Sequence, residues 1–109
     1  MADTLKCLGQ SAPSATTETD LYTVPSSTSA VVSTLTVCNR ANSSTTFRVS
    51  HAVGGGATAN KDYLVYDATI YANETITFTL GVAMATTDKL KVYAGTANLS
   101  FNAHGVEVT

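Results

Sequence analysis

The chain is organised around the stretch from Leu21 to Val53, whose two longest runs read Val31-Val32-Ser33-Thr34-Leu35-Thr36-Val37-Cys38-Asn39 and Phe47-Arg48-Val49-Ser50-His51-Ala52-Val53. β-Branched residues and threonines dominate the first run, and they suit the pleated surface of a strand better than a helix. In the second run every other residue, from Phe47 to Val53, belongs to one face, the period expected when one face of a strand is buried. We therefore predict two strands, which we expect to pair as a central hairpin.

Further strands follow the same period. Leu21–Val24 is short and is stopped by Pro25, which cannot donate to a central ladder. The segment 62–70 is predicted to place Leu64, Tyr66, Ala68 and Ile70 on one face. In the last strand Val106 and Val108 fall on the opposite parity to Leu99, Phe101 and Ala103, so we expect a β-bulge near His104-Gly105.

The clearest alternation runs from Thr75 to Met84, with threonines on one face and apolar residues on the other. Seven or eight short strands at regular spacing, without a helix-period segment, predict an all-β antiparallel sandwich that is jelly-roll-like. Across its core we expect the apolar face of this strand to meet residues of the other strands. The predicted core comprises Ile76, Phe78, Leu80 and Val82 facing Val37, Phe47, Val49, Leu90 and Val92.

Charge is scarce in this sequence. Charged residues make up 13% of 109 residues, about half the usual share, and nineteen threonines and ten serines take their place. Cores of protein interfaces are depleted in charge in the same way, although an ordinary hydroxyl-rich surface would also fit. The net charge of -2 and the scattered basic residues argue against a nucleic-acid partner. No apolar run is long enough to cross a membrane, and no secretion signal opens the chain, so we expect synthesis in a cytoplasm.

Residues 1–20 lack a strong pattern. Leu5, Cys7 and Gly9 alternate with Lys6, Leu8 and Gln10 in a weak apolar pattern. Residues 11–20 consist mainly of Ser, Thr, Ala and Pro and show no periodicity. A segment of this length with so little patterning is uncommon in a small domain unless it is functional. We predict an N-terminal extended arm over residues 1–20, ordered by a partner, and a single β-sandwich domain over residues 21–109.

No constellation of side chains indicates catalysis, a cofactor or a metal. His51 and His104 are far apart and have no ligand-spaced neighbours, so His51 is interpreted as a hydrogen-bonded core or interface residue. Asp62 and Asp67 are predicted on opposite faces of one strand, which excludes a carboxylate pair for glycoside hydrolysis. Gly54-Gly55-Gly56 lacks the lysine and helix start of a phosphate loop. We expect Cys7 and Cys38 to be buried thiols rather than a disulfide.

The tyrosines allow two interpretations. Tyr63, Tyr66, Tyr71 and Tyr93, with nearby Asn60 and Asn73, would suit a sugar-binding patch in which rings stack on the apolar faces of sugars. Tyrosines are equally common at the rim of a small core or in a protein interface, and we favour that second interpretation.

Several short segments occur in a characteristic order along nearly the whole chain. They are Leu8-Gly9-Gln10-Ser11, Asp20-Leu21-Tyr22-Thr23-Val24-Pro25, Val37-Cys38-Asn39-Arg40, Thr46-Phe47-Arg48-Val49, Tyr66-Asp67, Leu99-Ser100-Phe101-Asn102 and Gly105-Val106-Glu107-Val108. In this order they resemble a family of small tailed-bacteriophage virion proteins. His51 and Gly54-Gly55-Gly56 depart from the family's pattern.

This resemblance implies a non-enzymatic structural protein of the particle. The first expectation is a capsid decoration (cement) protein that bridges capsomers. The alternative is a tail, baseplate or fibre component, including a receptor- or glycan-binding module. The expected partners are the major capsid protein or tail proteins, together with copies of the chain itself, a trimer being favoured. The expected location is the virion, assembled in the host cytoplasm. The contact residues predicted for these partners are Leu5, Cys7, Leu8, Thr75, Thr77, Thr79, Tyr63 and Tyr93.

Overall fold

Eight β-strands make up most of the chain in a computed structural model that describes residues 2–109. The connections contain two single-turn 3-10 helices, Val53–Gly55 and Asn60–Asp62. The strands are β1 (Asp3–Ser11), β2 (Thr19–Thr23), β3 (Ser29–Asn39), β4 (Thr45–Ala52), β5 (Tyr63–Ile70), β6 (Thr75–Met84), β7 (Lys89–Ala94) and β8 (Leu99–Val108).

The strands form two four-stranded sheets with antiparallel pairing throughout. Sheet A has the order β1-β8-β3-β6, and sheet B has the order β2-β7-β4-β5. Among the strands of residues 2–109, only β4 and β5 are consecutive in the chain and also paired, so most connections pass from one sheet to the other. Two stacked sheets of four strands each are the arrangement of a jelly roll. The predicted all-β antiparallel sandwich is confirmed.

The prediction that these two strands pair as a central hairpin is wrong, because β3 and β4 lie in opposite sheets. Both strands have inward side chains that are fully buried, such as Val37 and Phe47, and stacking the strands across the core buries these side chains against each other's sheet. The crossover is held by the buried side chain of Asn39. Its amide nitrogen donates to the carbonyl oxygens of Ser43 and Tyr71, and its oxygen accepts from the backbone N–H of Ala41.

Aromatic rings join the two sheets at the centre of the sandwich. Phe47 of sheet B meets Phe101 and Phe78 of sheet A edge-to-face, with ring centroids 6.3 and 6.1 Å apart. The predicted contact between Phe47 and Phe78 is therefore confirmed. Val37, in contrast, is paired with Ile76 in the same sheet and does not face it. Ile76, Phe78, Leu80 and Val82 of β6 are only partly buried, because β6 is an edge strand with one neighbour, whereas Met84 at its end is buried.

The N-terminal segment belongs to the sandwich, which corrects the prediction that residues 1–20 stand apart as an arm and that the strands begin at Leu21. β1 pairs with β8 along its length, and Lys6 forms an ion pair with Glu107 of β8 at 3.3 Å. Leu8 joins the hydrophobic core. At Gly9 an added Cβ would lie 2.1 Å from the carbonyl oxygen of Leu21, so glycine allows the two sheets to approach here. Met1, which the prediction included, lies outside the described residues.

Irregularities in sheet A lie at one level, opposite His104. The extra residues are Leu8 in β1 and Ser33 in β3, whereas β8 runs without an insertion between them. The bulge predicted at His104-Gly105 therefore lies in the neighbouring strands instead, and Val106 and Val108 remain on the outer face, half-buried. β6 has its own extra residue near Gly81, at the same level. Such bulges increase local twist and bend the sheet.

A bulge in sheet B changes the predicted faces of β5. Asp67 has a φ of 51°, and two residues of β5 lie opposite the single residue Arg48 of β4. Ala68 and Ile70 therefore point inward as predicted, whereas Leu64 and Tyr66 are exposed and Val65 packs on the core. The alternation was continuous in the sequence, and the insertion interrupts it in the sheet.

We expect the aromatic centre to dominate stability. Phe101→Ala should lower the free energy of unfolding by about 3–5 kcal/mol, because Phe101 is fully buried and its removal leaves a cavity. Phe78→Ala should cost roughly half as much, because Phe78 is only partly buried. Urea unfolding of both variants and the parent checks this order. A larger loss for Phe78→Ala would contradict the edge position of β6.

Candidate functional site

The outer face of sheet A is nearly free of charge. Threonines of β3 and β6 lie side by side on it, with Thr36 opposite Thr77 and Thr34 opposite Thr79. We call the surface formed by Thr34, Thr36, Thr75, Thr77 and Thr79 the threonine face. By the register and the alternation of side chains, the outer side of sheet A contains no Lys, Arg or Glu among the described strands, and its single carboxylate, Asp3, lies at a corner.

An apolar row crosses the same side of sheet A at one end. Leu5 of β1 lies opposite Val106, Val106 lies opposite Val31, and Val31 lies opposite Ala83 of β6. Leu5 is 83% exposed and Val31 is 41% exposed. A strand-crossing row of apolar side chains beside a field of hydroxyl groups has the composition of an interface core, where charged residues are depleted.

Most of the predicted contact residues lie on this side. Leu5 and Cys7 are exposed on β1, and Thr75, Thr77 and Thr79 are exposed on β6. Leu8 does not lie there: as the extra residue of the β1 bulge it points inward and is buried, so it belongs to the core rather than to a contact surface. Tyr63 and Tyr93 lie on sheet B.

The outer side of sheet B has the opposite character and is charged and aromatic. The guanidinium of Arg48 lies 4.4 Å from the ring centre of Tyr66 and 4.6 Å from that of Tyr93. Its Nε donates to Asp67 Oδ1 at 2.6 Å, and Tyr63 meets Tyr66 edge-to-face at 4.8 Å. We call Arg48, Tyr63, Tyr66, Asp67 and Tyr93 the tyrosine–arginine cluster. The hydrogen bond from Arg48 lowers the pKa of Asp67 and outweighs the effect of its partial burial.

A cleft of about 560 Å³ lies beside this cluster. Lys91, which is nearly buried, donates to the carbonyl oxygen of Gly56 at 3.0 Å and lies 3.7 Å from Glu18. Glu18 also accepts from the hydroxyl of Thr58 at 2.9 Å. The cleft is lined by Glu18, Arg48, Ala57, Thr58, Tyr63, Lys91 and Tyr93.

Sequence reasoning found the tyrosines of this site but not its charged members. Glu18, Arg48 and Lys91 come from separate strands or loops and are brought together by the order β2-β7-β4-β5. The parity of Arg48 and Lys91, both opposite to core residues in their strands, was the only signal available. Tyr71, which was grouped with the other tyrosines, lies in the turn before β6 and takes no part in the cluster.

His51 is hydrogen-bonded, as interpreted from the sequence. Its Nε2 lies 2.9 Å from Asp88 Oδ2 at the end of the sandwich. Asp88, whose side chain is 5% exposed, also accepts from the backbone N–H groups of Gly54 at 2.8 Å and Ala85 at 3.1 Å. Burial would raise the pKa of Asp88, but these hydrogen bonds, with that from His51, together hold it below its ordinary value. The arrangement ties the loop after β4 to the turn before β7.

Both cysteines have free thiols. Cys7 is exposed and Cys38 is half-buried, so the prediction of two buried thiols is wrong for Cys7. Its place on the edge strand β1, directed outward opposite His104, explains the exposure. Over residues 2–109, no three His, Cys, Asp or Glu side chains are grouped as metal ligands would be. That part of the chain also contains no helix with the length and apolarity that crossing a membrane requires.

Comparison with known proteins adds no family to this description. No protein-family model matches the chain, and no curated protein matches it in sequence.

The Asp88 carboxylate should make the free energy of unfolding depend on pH in the acidic range. Asp88→Asn should lower the free energy of unfolding at neutral pH by about 2–4 kcal/mol, because it weakens hydrogen bonds to a buried charge. The pKa of Asp88 is depressed in the folded protein. Its contribution to the free energy of unfolding is therefore full above about pH 3.8, and it is lost as the pH falls through the pKa of the folded protein. Urea unfolding at several pH values should show the gap between parent and variant closing in acid. A gap of constant size would contradict the role of the charge.

Proposed function

We propose that this chain is a non-enzymatic structural protein of a tailed-phage particle, in the first place a capsid decoration protein. The observation that carries the proposal is the threonine face with its adjoining apolar row. It is an exposed sheet surface almost without charge in a chain that has charged residues elsewhere.

The physical reason is the low cost of covering such a surface. Hydroxyl groups and small apolar side chains lose less hydration free energy on burial than charged groups do. A decoration protein stabilises a shell by burying surface across joints between capsomers, and many weak contacts of this kind add up through copy number. The jelly-roll arrangement, used among others in viral capsid domains and lectins, is compatible with this function without demonstrating it.

We expect Thr36→Lys to prevent binding to the particle. Thr36 lies on a central strand of sheet A, and a lysine there places an ammonium group in the middle of the threonine face. Burying that unpaired charge would be costly. The matched control is Thr69→Lys, which adds the same charge at an exposed threonine on the outer side of sheet B. Sedimentation of particles assembled with each variant measures the bound copies.

Loss of binding for Thr36→Lys alone would support the threonine face as the contact surface. Equal binding of both variants would contradict it, provided that both keep the melting temperature of the parent. The number of copies per particle, with antibody localisation on intact virions, separates the two structural assignments. Hundreds of copies on the shell indicate decoration, and a few copies at the tail indicate a tail component.

A second candidate is a glycan-binding module of a tail, and the tyrosine–arginine cluster is the observation that favours it. Tyr93 and Tyr63 line a cleft that also contains carboxylate, ammonium and hydroxyl groups, which are the groups that bind sugar hydroxyls. Tyr93→Ala should then weaken binding to host surface polysaccharide at least tenfold, whereas Tyr71→Ala, outside the cleft, should not. Calorimetric titration with purified polysaccharide measures this. Equal affinities of the two variants would exclude the cleft as the glycan site.

A further inference from the structure

Three of the four sheet edges contain features that hinder pairing with another strand. β1 has a bulge at Leu8 and the charged residue Lys6. β2 is five residues long and has a bulge near Leu21. β5 is interrupted by the bulge at Asp67, whose backbone is in the left-handed region. Short strands, bulges and charges are the usual protection of a sheet edge against another chain.

The fourth edge, β6, lacks most of this protection. It is ten residues long and contains neither a charged residue nor a proline. Its bulge lies near Gly81, so Thr75–Thr79 remain in regular register with β3. In sheet A, β6 has β3 on one side, and within residues 2–109 no strand pairs with its other side. Its outward N–H and C=O groups are therefore available to a further strand.

The sandwich is also open beside this edge. Four inward side chains of β6 are only partly buried, namely Ile76, Phe78, Leu80 and Val82, whereas Met84 at the end of the strand is buried. Val65 and Ala68 of β5, on the facing sheet, are also only partly buried. In contrast, the inward side chains of the inner strands, such as Leu35 and Leu99, are fully buried. When a neighbouring strand covers a half-exposed apolar side chain at an unpaired edge, the removal of apolar surface from water lowers the free energy of the assembly.

We propose that β6 pairs antiparallel with β6 of a second copy of this chain about a two-fold axis. The strand is complementary to itself in this arrangement. Antiparallel pairing about any of its residues places positions of equal parity opposite each other, so threonines meet threonines and apolar residues meet apolar residues. With the axis at Thr77, for example, Thr75 lies opposite Thr79 and Ile76 opposite Phe78. No like charges are opposed, because the strand contains none.

The pairing joins two four-stranded sheets into one continuous sheet of eight strands and makes the threonine faces of both copies continuous. It gives a dimer in place of the trimer expected from the sequence. It rests on the edge and the open side of the sandwich and does not require the assignment to a phage particle.

The test is the molar mass in solution, measured by light scattering on a size-exclusion column over a range of protein concentrations. The parent should run as a dimer. Thr77→Lys should weaken dimerisation roughly fivefold or more, because the two ammonium groups lie opposite or diagonal to each other across the axis. The matched control is Thr36→Lys, which adds the same charge to the same face one strand away from the edge. This control should remain a dimer.

A parent that stays monomeric at every concentration, or that runs as a trimer, would overturn the proposal. Loss of the dimer in both variants would also overturn it, because the contact would then be the threonine face rather than the edge. Circular dichroism checks that the variants are folded, and Thr79→Lys, at the same edge, replaces Thr77→Lys if that variant does not fold. Failure of Thr36→Lys to bind particles while it remains a dimer separates this contact from the proposed function.

Discussion

The contact between the two sheets at Phe47 is the interaction on which the rest of the structure depends. This ring of sheet B packs edge-to-face against Phe101 and Phe78 of sheet A, and Phe47 and Phe101 are among the largest fully buried side chains. In a domain of 109 residues there is room for a single core, so every strand must direct one face to this centre. The alternation along the strands and the crossovers between the sheets both follow from that requirement.

The burial of one face leaves two outer sides, and they differ sharply. Sheet B carries Arg48, Lys89 and Lys91, each close to a carboxylate from another segment. Sheet A carries hydroxyl groups and an apolar row. Exposed ion pairs contribute little to stability, so the charge on sheet B is better understood as a property of the surface than as a support of the fold. The low overall charge of the chain thus reflects one nearly uncharged side rather than a uniform scarcity of charge over the whole surface.

Backbone irregularities decide how these sides are presented. The bulges at Leu8 and Ser33 shift the register of sheet A at one level, and Asp67, in the bulge of β5, accepts a hydrogen bond from Arg48. Bulges also distinguish the protected edges, β1, β2 and β5, from the open edge, β6. A bulge changes the direction of side chains and interrupts the row of backbone N–H and C=O groups with which another strand would pair. Local geometry of the strands therefore controls which surfaces are available for association.

The sequence by itself determined the all-β class, the approximate strands and much of the core, because alternation with a period of two is a local property that each strand shows on its own. It also indicated the threonine side of β6 and a hydrogen-bonded His51. Only the tertiary structure decided the rest: that β3 and β4 stack rather than pair, that residues 3–11 complete a sheet, and that Glu18, Arg48 and Lys91 share one cleft. Pairing between strands distant in the chain, and the bulges that shift their register, depend on how all strands together bury one core, and no single segment contains that information.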